Sequence, residues 1–350
     1  MRRLEKNWYA RRPEWWSYLL LPLWLLYQVA RGLHKLGFWL GLKKVWQAPV
    51  PTIVVGNLSV GGTGKTPVVL AVVRWLQAAG YQPGIISRGY GGQGPFPQLV
   101  TTASAAAAVG DEPLLLAFRS GVPVVVAPDR PAAARALLAA HPQCDVLVSD
   151  DGLQHTALGR SLALVVVDGE RGFGNGWQLP IGPLRQSLRA LAKQALVVVN
   201  GEPQPRLQAQ LEHDGCEPMV MTLQPAGWFR VADKKAIETP DGEAVIAIAG
   251  IGHPQRFFDS LRVQGFELAQ TCSFPDHHAF SAADFADFDR QRPVVMTEKD
   301  AAKCRSFAPR HWYYLAVEAQ LPAALFSYLA KRLPPPAAAG AAVANTAIDE

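Results

Sequence analysis

Charge is scarce in this chain, cysteine is scarcer, and no apolar run reaches membrane-spanning length. Charged residues make up 18% of the 350 positions and hydrophobic ones 49%. A chain so rich in apolar side chains buries a core, which excludes an intrinsically disordered protein. Four cysteines, Cys144, Cys216, Cys272 and Cys304, are scattered without a C-x-x-C pair. That excludes a disulfide scaffold and a structural zinc site, and leaves reduced thiols in a cytosolic body. No segment recurs at a fixed period, so solenoids and propellers are excluded too. The net charge of +5 is a mild excess, equally compatible with nucleic acid, anionic lipid or phosphorylated ligands.

The apolar stretch Trp15 to Ala30, which carries no charge, falls short of the ~20 residues that a spanning helix needs. Arg2, Arg3, Lys6, Arg11 and Arg12 precede it, Arg31, His34 and Lys35 follow, and a second apolar piece runs from Leu36 to Leu42. Trp8, Trp15, Trp16, Trp24 and Trp39, with Tyr18 and Tyr27, give it the aromatic dress of a membrane interface. No small-residue cleavage site follows, which argues against a signal peptide. The expectation is a helix lying on or dipping into the inner leaflet, held by apolar burial and basic contacts to anionic lipid. A buried core helix and a single shallow span are the alternatives, and Pro22 is expected to kink any of them.

From Pro51 onward, short β-branched runs alternate with helical spacing. Thr52–Val55, Gly84–Ser87, Val122–Ala127, Asp145–Ser149, Leu162–Val167 and Ala195–Val199 read as buried strands. Lys65–Ala79, Glu112–Arg119 and Ala132–Ala140 read as helices between them. This predicts an α/β fold, a mostly parallel sheet covered by helices on both faces. A polar, Pro- and Gly-rich stretch then suggests a junction, followed by a smaller α/β unit with strands Ala244–Ala249, Phe266–Thr271, Pro293–Met296 and Tyr313–Val317 and helices Pro254–Gln264 and Leu321–Leu333. The expected organisation is a membrane-associated helical segment over 1–46, a nucleotide-binding domain over 47–205, a junction over 206–242, the smaller domain over 243–333 and a disordered tail over 334–350.

The stretch Thr52 to Thr66 reads T-I-V-V-G-N-L-S-V-G-G-T-G-K-T. A strand, a glycine loop and a helix opening at Lys65 are the context a phosphate-binding loop requires. Ser59, Val60, Gly61, Gly62, Thr63, Gly64, Lys65 and Thr66 are the expected ATP contacts. The glycines turn N–H groups toward an anion, the helix N-terminus adds its dipole, Lys65 reaches the β- and γ-phosphates, and Thr66 ligates Mg²⁺. Ser59 stands where the common pattern has Gly, and Val60 where dimeric ATPases of this class carry an extra Lys.

The run D-V-L-V-S-D-D (Asp145–Asp151) is an apolar strand ending in acids, the other half of such a site. Asp150 and Asp151 are the metal-ligand candidates, with Gln154 and His155 at the same strand end. Asp111 and Glu112 open another helix; Asp111 is a helix cap or a base for an attacking hydroxyl.

These residues resemble the tetraacyldisaccharide 4′-kinase family of lipid A biosynthesis. The resemblance is carried by G-N-L-S-V-G-G-T-G-K-T-P, S-R-G-Y-G-G (Ser87–Gly92), G-D-E-P (Gly110–Pro113), D-D-G-L-Q-H (Asp150–His155), G-N-G-x-x-L-P-x-G-P-L-R (Gly174–Arg185), F-P-D-H-H (Phe274–His278) and M-T-E-K-D-A (Met296–Ala301). It implies a P-loop kinase that moves the γ-phosphate of ATP, with Mg²⁺, to the 4′-hydroxyl of an acylated disaccharide 1-phosphate at the cytoplasmic face of the bacterial inner membrane. Neither nucleic acid nor an obligate protein partner is implied. It casts Lys65, Asp111 and His277 in catalysis, and Arg88, Glu112, Arg130, Gln154, His155 and Arg185 as substrate-binding candidates. The competing reading is a membrane-associated ATPase or GTPase; T-E-K-D at Thr297–Asp300 only half matches the N-K-x-D base reader of GTPases.

Overall fold

The computed structural model describes residues 3–101, 103–188, 195–240, 244–276 and 278–336. Its β-branched runs form β1 (Thr52–Gly56), β2 (Pro83–Ser87), β3 (Gln98–Val100), β4 (Val124–Val126), β5 (Val146–Asp150), β6 (Leu162–Asp168) and β7 (Ala195–Asn200). The order β7-β6-β1-β5-β2-β4 is parallel throughout, with β3 antiparallel on the edge. β1, β2, β5 and β6 are buried along their whole length, as strands covered on both faces must be. Helices α3 (Lys65–Ala78) and α5 (Asp111–Ser120), the latter preceded by the short α4 (Ala106–Val109), cover one face and α6 (Arg130–Ala140) the other.

The stretch expected as a junction holds helix α7 (Pro205–His213) and the 12-residue strand β8 (Met219–Arg230). β8 joins the halves: Met219–Met221 pair in parallel with β7, and Thr222–Arg230 pair antiparallel with β13 (Trp312–Gln320). Beyond β13 follow β12 (Val294–Thr297), β10 (Ala244–Ala249) and β11 (Glu267–Ser273), all parallel. With the short β9 (Ala236–Ile237) beside β8, this is one 13-stranded sheet among the described residues. α8 (Pro254–Val263) and α9 (Glu298–Cys304) follow β10 and β12, and α10 (Ala323–Ala330) packs back on α3, stacking Phe326 on Trp75 at 5.5 Å.

The N-terminal segment comprises α1 (Arg3–Trp8), a 3-10 turn over Trp15–Leu20 and α2 (Leu21–Trp39). Pro22 does not kink a helix; it occupies the first turn of α2, where its missing N–H leaves nothing unpaired. No side chain of α2 is buried, and Leu23, Leu25, Leu26, Leu33 and Trp39 are exposed. No helix among the described residues is long and apolar enough to cross a membrane. Most of the C-terminal tail lies outside the described residues; Pro334 accepts a 2.7 Å hydrogen bond from the Tyr81 hydroxyl.

Candidate active site

β1 runs into the glycine loop with Val55 paired to Asp150 of β5, so the loop and the strand-tip acids start side by side. Gly64 caps α3 in the left-handed region (φ 91°), and a Cβ there would lie 2.7 Å from Asn200 Nδ2. Only glycine fits both constraints. The loop is braced from many sides. Asn200 Nδ2 donates to Thr63 O (3.2 Å), Asn57 Nδ2 to Gly61 O (3.2 Å), Gln154 Nε2 to Asn57 O (2.9 Å) and the Tyr9 hydroxyl to Val60 O (2.9 Å). Ser59 pairs with Leu184, and Val60 N donates to Pro183 O (2.9 Å). A loop held this firmly keeps its N–H groups aimed where a phosphate would sit, which is electrostatic preorganisation.

Asp150 and Asp151 diverge. Asp150 is 1% exposed; its Oδ2 accepts from the Ser87 hydroxyl (3.1 Å), while its Oδ1 has no partner among the described residues. Burial, then Glu112 and Asp151, push its carboxyl up to about 7 against the pull of Lys65 and Arg130. Asp151 sits at φ 47° and points at cations: Lys65 Nζ at 3.7 Å and Arg185 Nη1 at 3.0 Å. Burial opposes its ionisation, but Lys65 and Arg185 outweigh burial and hold the carboxyl below the usual range. Two carboxyls pushed in opposite directions within one cleft mark a site where charge is managed. Asp150, with an orphaned buried oxygen, is the group most in need of a cation.

The two halves of the sheet meet over this loop. Gly252, after β10, lies so close that a Cβ there would be 3.0 Å from Gly62 N. Arg171 donates to Gly252 O (2.8 Å), and Arg256 makes a bidentate pair with Asp168 (2.8 and 3.1 Å). From α9, Lys299 Nζ reaches Glu112 and Asp276 (3.2 Å each), and Lys303 Nζ reaches Asp111 (3.6 Å) and Asp300 (3.4 Å). Arg119 of α5 pairs with Glu298 at 2.6 Å. Asp168, Arg171, Arg256, Lys299 and Lys303 were not singled out from sequence as site residues with a role. Their partners lie far away in the chain, so no local spacing betrays them. The one available signal was T-E-K-D-A itself.

The family model described as LpxK: Tetraacyldisaccharide-1-P 4'-kinase matches residues 16–334 of the sequence. The chain belongs to the tetraacyldisaccharide-1-phosphate 4′-kinase family. The tetraacyldisaccharide 4'-kinase of Idiomarina loihiensis is 47% identical over 319 residues, covering 91% of this chain and 94% of that protein. Its counterpart from Aeromonas salmonicida is 46% identical over 333 residues, covering 95% and 96%. Among solved structures, LpxK from Aquifex aeolicus in complex with ATP has a similar fold, with TM-score 0.71 and 24% identity over 91% of this chain and 99% of that one.

The remaining candidates of this 4′-kinase family member differ in what their side chains are doing. Arg88 is exposed beside the cleft. Arg130 is 1% exposed, donating to Ala127 O (3.0 Å) and Asp150 O (2.9 Å). Burial lowers its pKa to about 10, so it stays charged at neutral pH. His155 is half-buried, and burial with Arg130 and Arg88 pushes its pKa down to about 4. It is a neutral imidazole at physiological pH. Arg185 links Asp151 to the loop, its N–H donating to Leu58 O (2.7 Å), and its carbonyl accepts from the Tyr27 hydroxyl of α2 (2.6 Å). His277 lies outside the described residues. Its neighbour His278 faces Asp284 (3.2 Å) and packs against Phe274 and Phe280 at 4.8 Å.

Proposed function

We propose that this chain transfers the γ-phosphate of ATP to the 4′-hydroxyl of a tetraacyldisaccharide 1-phosphate at the cytoplasmic face of the bacterial inner membrane. The observation that carries the proposal is the convergence of a braced phosphate loop, the Asp150–Asp151 pair and the Asp111–Glu112 helix start in one cleft, closed over by α9. A hydrolase needs a water-positioning residue there; a transferase needs acids beside an open cleft and a second lobe that excludes water.

In this reading the N–H groups of residues 59–66 and Lys65 hold the β- and γ-phosphates. Asp111 accepts the proton of the sugar hydroxyl as its oxygen bonds to the γ-phosphorus, and the bond from that phosphorus to the β,γ-bridging oxygen breaks, releasing ADP. Arg88 and Arg185, at the cleft, bind phosphate oxygens of lipid or nucleotide. Arg130 is too deeply committed to backbone carbonyls to touch substrate, and supports Asp150 instead. Glu112 at the start of α5 and Gln154 and His155 after β5 line the same cleft, His155 as a neutral hydrogen-bonding group, and His277 assists Asp111. Thr66, Asp150 and Asp151 fit Mg²⁺, because a cation there would offset the buried, half-partnered Asp150 carboxylate. Mg²⁺ bound there supplies neutralisation of the charge building on the phosphate oxygens. The exposed apolar side chains of α2 enter the leaflet beside the substrate, with Arg31, Lys35 and Lys43 near anionic headgroups.

The test is γ-³²P transfer from ATP to tetraacylated disaccharide 1-phosphate in mixed micelles, with Lys65→Ala as control. Labelled lipid that disappears in the control is expected. Free phosphate without labelled lipid would instead mark a membrane-associated NTPase.

A further inference from the structure

The M-T-E-K-D-A stretch has no role in the account above, yet its helix α9 makes the closest electrostatic approach of the C-terminal half to the acids of α5. Lys299 and Lys303 are one helical turn apart, so both ammonium groups leave the same face. Each meets one of the two adjacent acids that open α5: Lys299 meets Glu112 at 3.2 Å, and Lys303 meets Asp111 at 3.6 Å. The Lys303 side chain is 7% exposed. Its ammonium also lies 3.4 Å from the fully buried Asp300 and 5.6 Å from the centre of the Phe280 ring. Asp300 is itself fixed, accepting from Gly250 N (2.8 Å) and from the Thr297 hydroxyl (2.6 Å). A chain of contacts therefore runs from the loop after β10, through Asp300 and Lys303, to Asp111.

A buried ammonium is costly unless its partners surround it, and a surface lysine would not stabilise this arrangement. Its two carboxylate partners lie on opposite sides of the cleft. Asp300 fixes the position of Lys303, and Lys303 in turn restrains the Asp111 carboxylate by charge. We propose that Lys303 is a positioning residue for phosphoryl transfer, fixing the place of the Asp111 carboxylate when the C-terminal half is seated on the nucleotide domain. The base is then assembled only when α9 is in place, which couples proton abstraction to exclusion of water. Lys299 acts in parallel on Glu112 and Asp276. The inference rests on the kinase reading and on Asp111 as base.

The experiment is a double-mutant cycle on the full chain, with kcat and the KM for ATP measured against micellar tetraacylated disaccharide 1-phosphate. The variants are Lys303→Met, Lys303→Arg, Asp111→Asn and the double variant Asp111→Asn/Lys303→Met. The expected result is a kcat loss of about 100-fold in Lys303→Met, the scale of a base displaced by about an ångström. The KM for ATP should stay within about two-fold, and Lys303→Arg should recover most of the rate. The double variant should be no slower than Asp111→Asn alone, because Lys303 works through Asp111. Lys303→Arg keeps a cation between Asp111 and the buried Asp300, so it keeps the test valid if Lys303→Met folds poorly. Wild-type kcat in Lys303→Met, or losses that add in the double variant, overturns the positioning role and leaves the kinase reading standing. Absence of lipid phosphorylation by the unsubstituted protein overturns the kinase reading, and this inference with it.

Discussion

Replacing Asp150 with asparagine should make the nucleotide-free protein more stable at pH 8 while abolishing phosphoryl transfer. The carboxyl is 1% exposed, and its environment lifts it from 3.8 to about 7, first through burial, then through Glu112 and Asp151. Between those values the native state keeps a proton that the unfolded chain has lost. Native protein then binds more protons than unfolded protein, so stability falls as pH rises across that window, by about 1.4 kcal/mol per pH unit. The full gap corresponds to a penalty on the order of 4 kcal/mol above pH 7. About 2–4 kcal/mol is expected for this one site. Asparagine removes the charge and keeps an oxygen for the 3.1 Å bond from Ser87. Urea unfolding without Mg²⁺ or nucleotide, at pH 5 and pH 8, is the assay. The variant should have the higher midpoint at both pH values, with the gap clearly wider at pH 8 than at pH 5. Parallel pH dependence in the two proteins, or a less stable variant at pH 8, would refute the reasoning.

Other substitutions probe the loop and the membrane face. Gly252→Ala places a methyl 3.0 Å from Gly62 N, so it should raise the KM for ATP several-fold, read by steady-state kinetics, with little change in unfolding midpoint. Gly64→Ala meets both a left-handed backbone and Asn200 Nδ2 at 2.7 Å. It should cost about 1–3 kcal/mol in urea unfolding and abolish binding of a fluorescent ATP analogue. Replacing the exposed Leu25, Leu26 and Leu33 of α2 together with Ser should release the protein from anionic vesicles in flotation assays. It should also slow phosphorylation of vesicle-borne substrate, with the KM for ATP unchanged.

The parts of the molecule legible in sequence are those whose physics is local. The glycine loop announces itself because positive φ and close backbone approach demand glycine at fixed spacing, and Asp150 ends an uninterrupted apolar run. β8 was not legible: Pro225 and Gly227 sit inside it, and most of its middle is exposed, so it carries neither alternation nor a continuous apolar run. The strand tolerates them because its register with β13 shifts there. α2 was expected to kink at Pro22 because the preceding 3-10 turn has the same composition as a helix. Lys303 and Arg256 were invisible for another reason, since an ion pair between α9 and α5, or between α8 and β6, leaves no periodicity to find.

The position of the new phosphate decides whether this chain phosphorylates the 4′-hydroxyl. Product made from ATP and tetraacylated disaccharide 1-phosphate should be examined by two-dimensional ³¹P–¹H NMR. A new phosphomonoester correlated with the proton on carbon 4′ is expected, with the anomeric phosphate unchanged. A pyrophosphate at carbon 1, or a phosphomonoester on any other hydroxyl, would contradict 4′-phosphorylation.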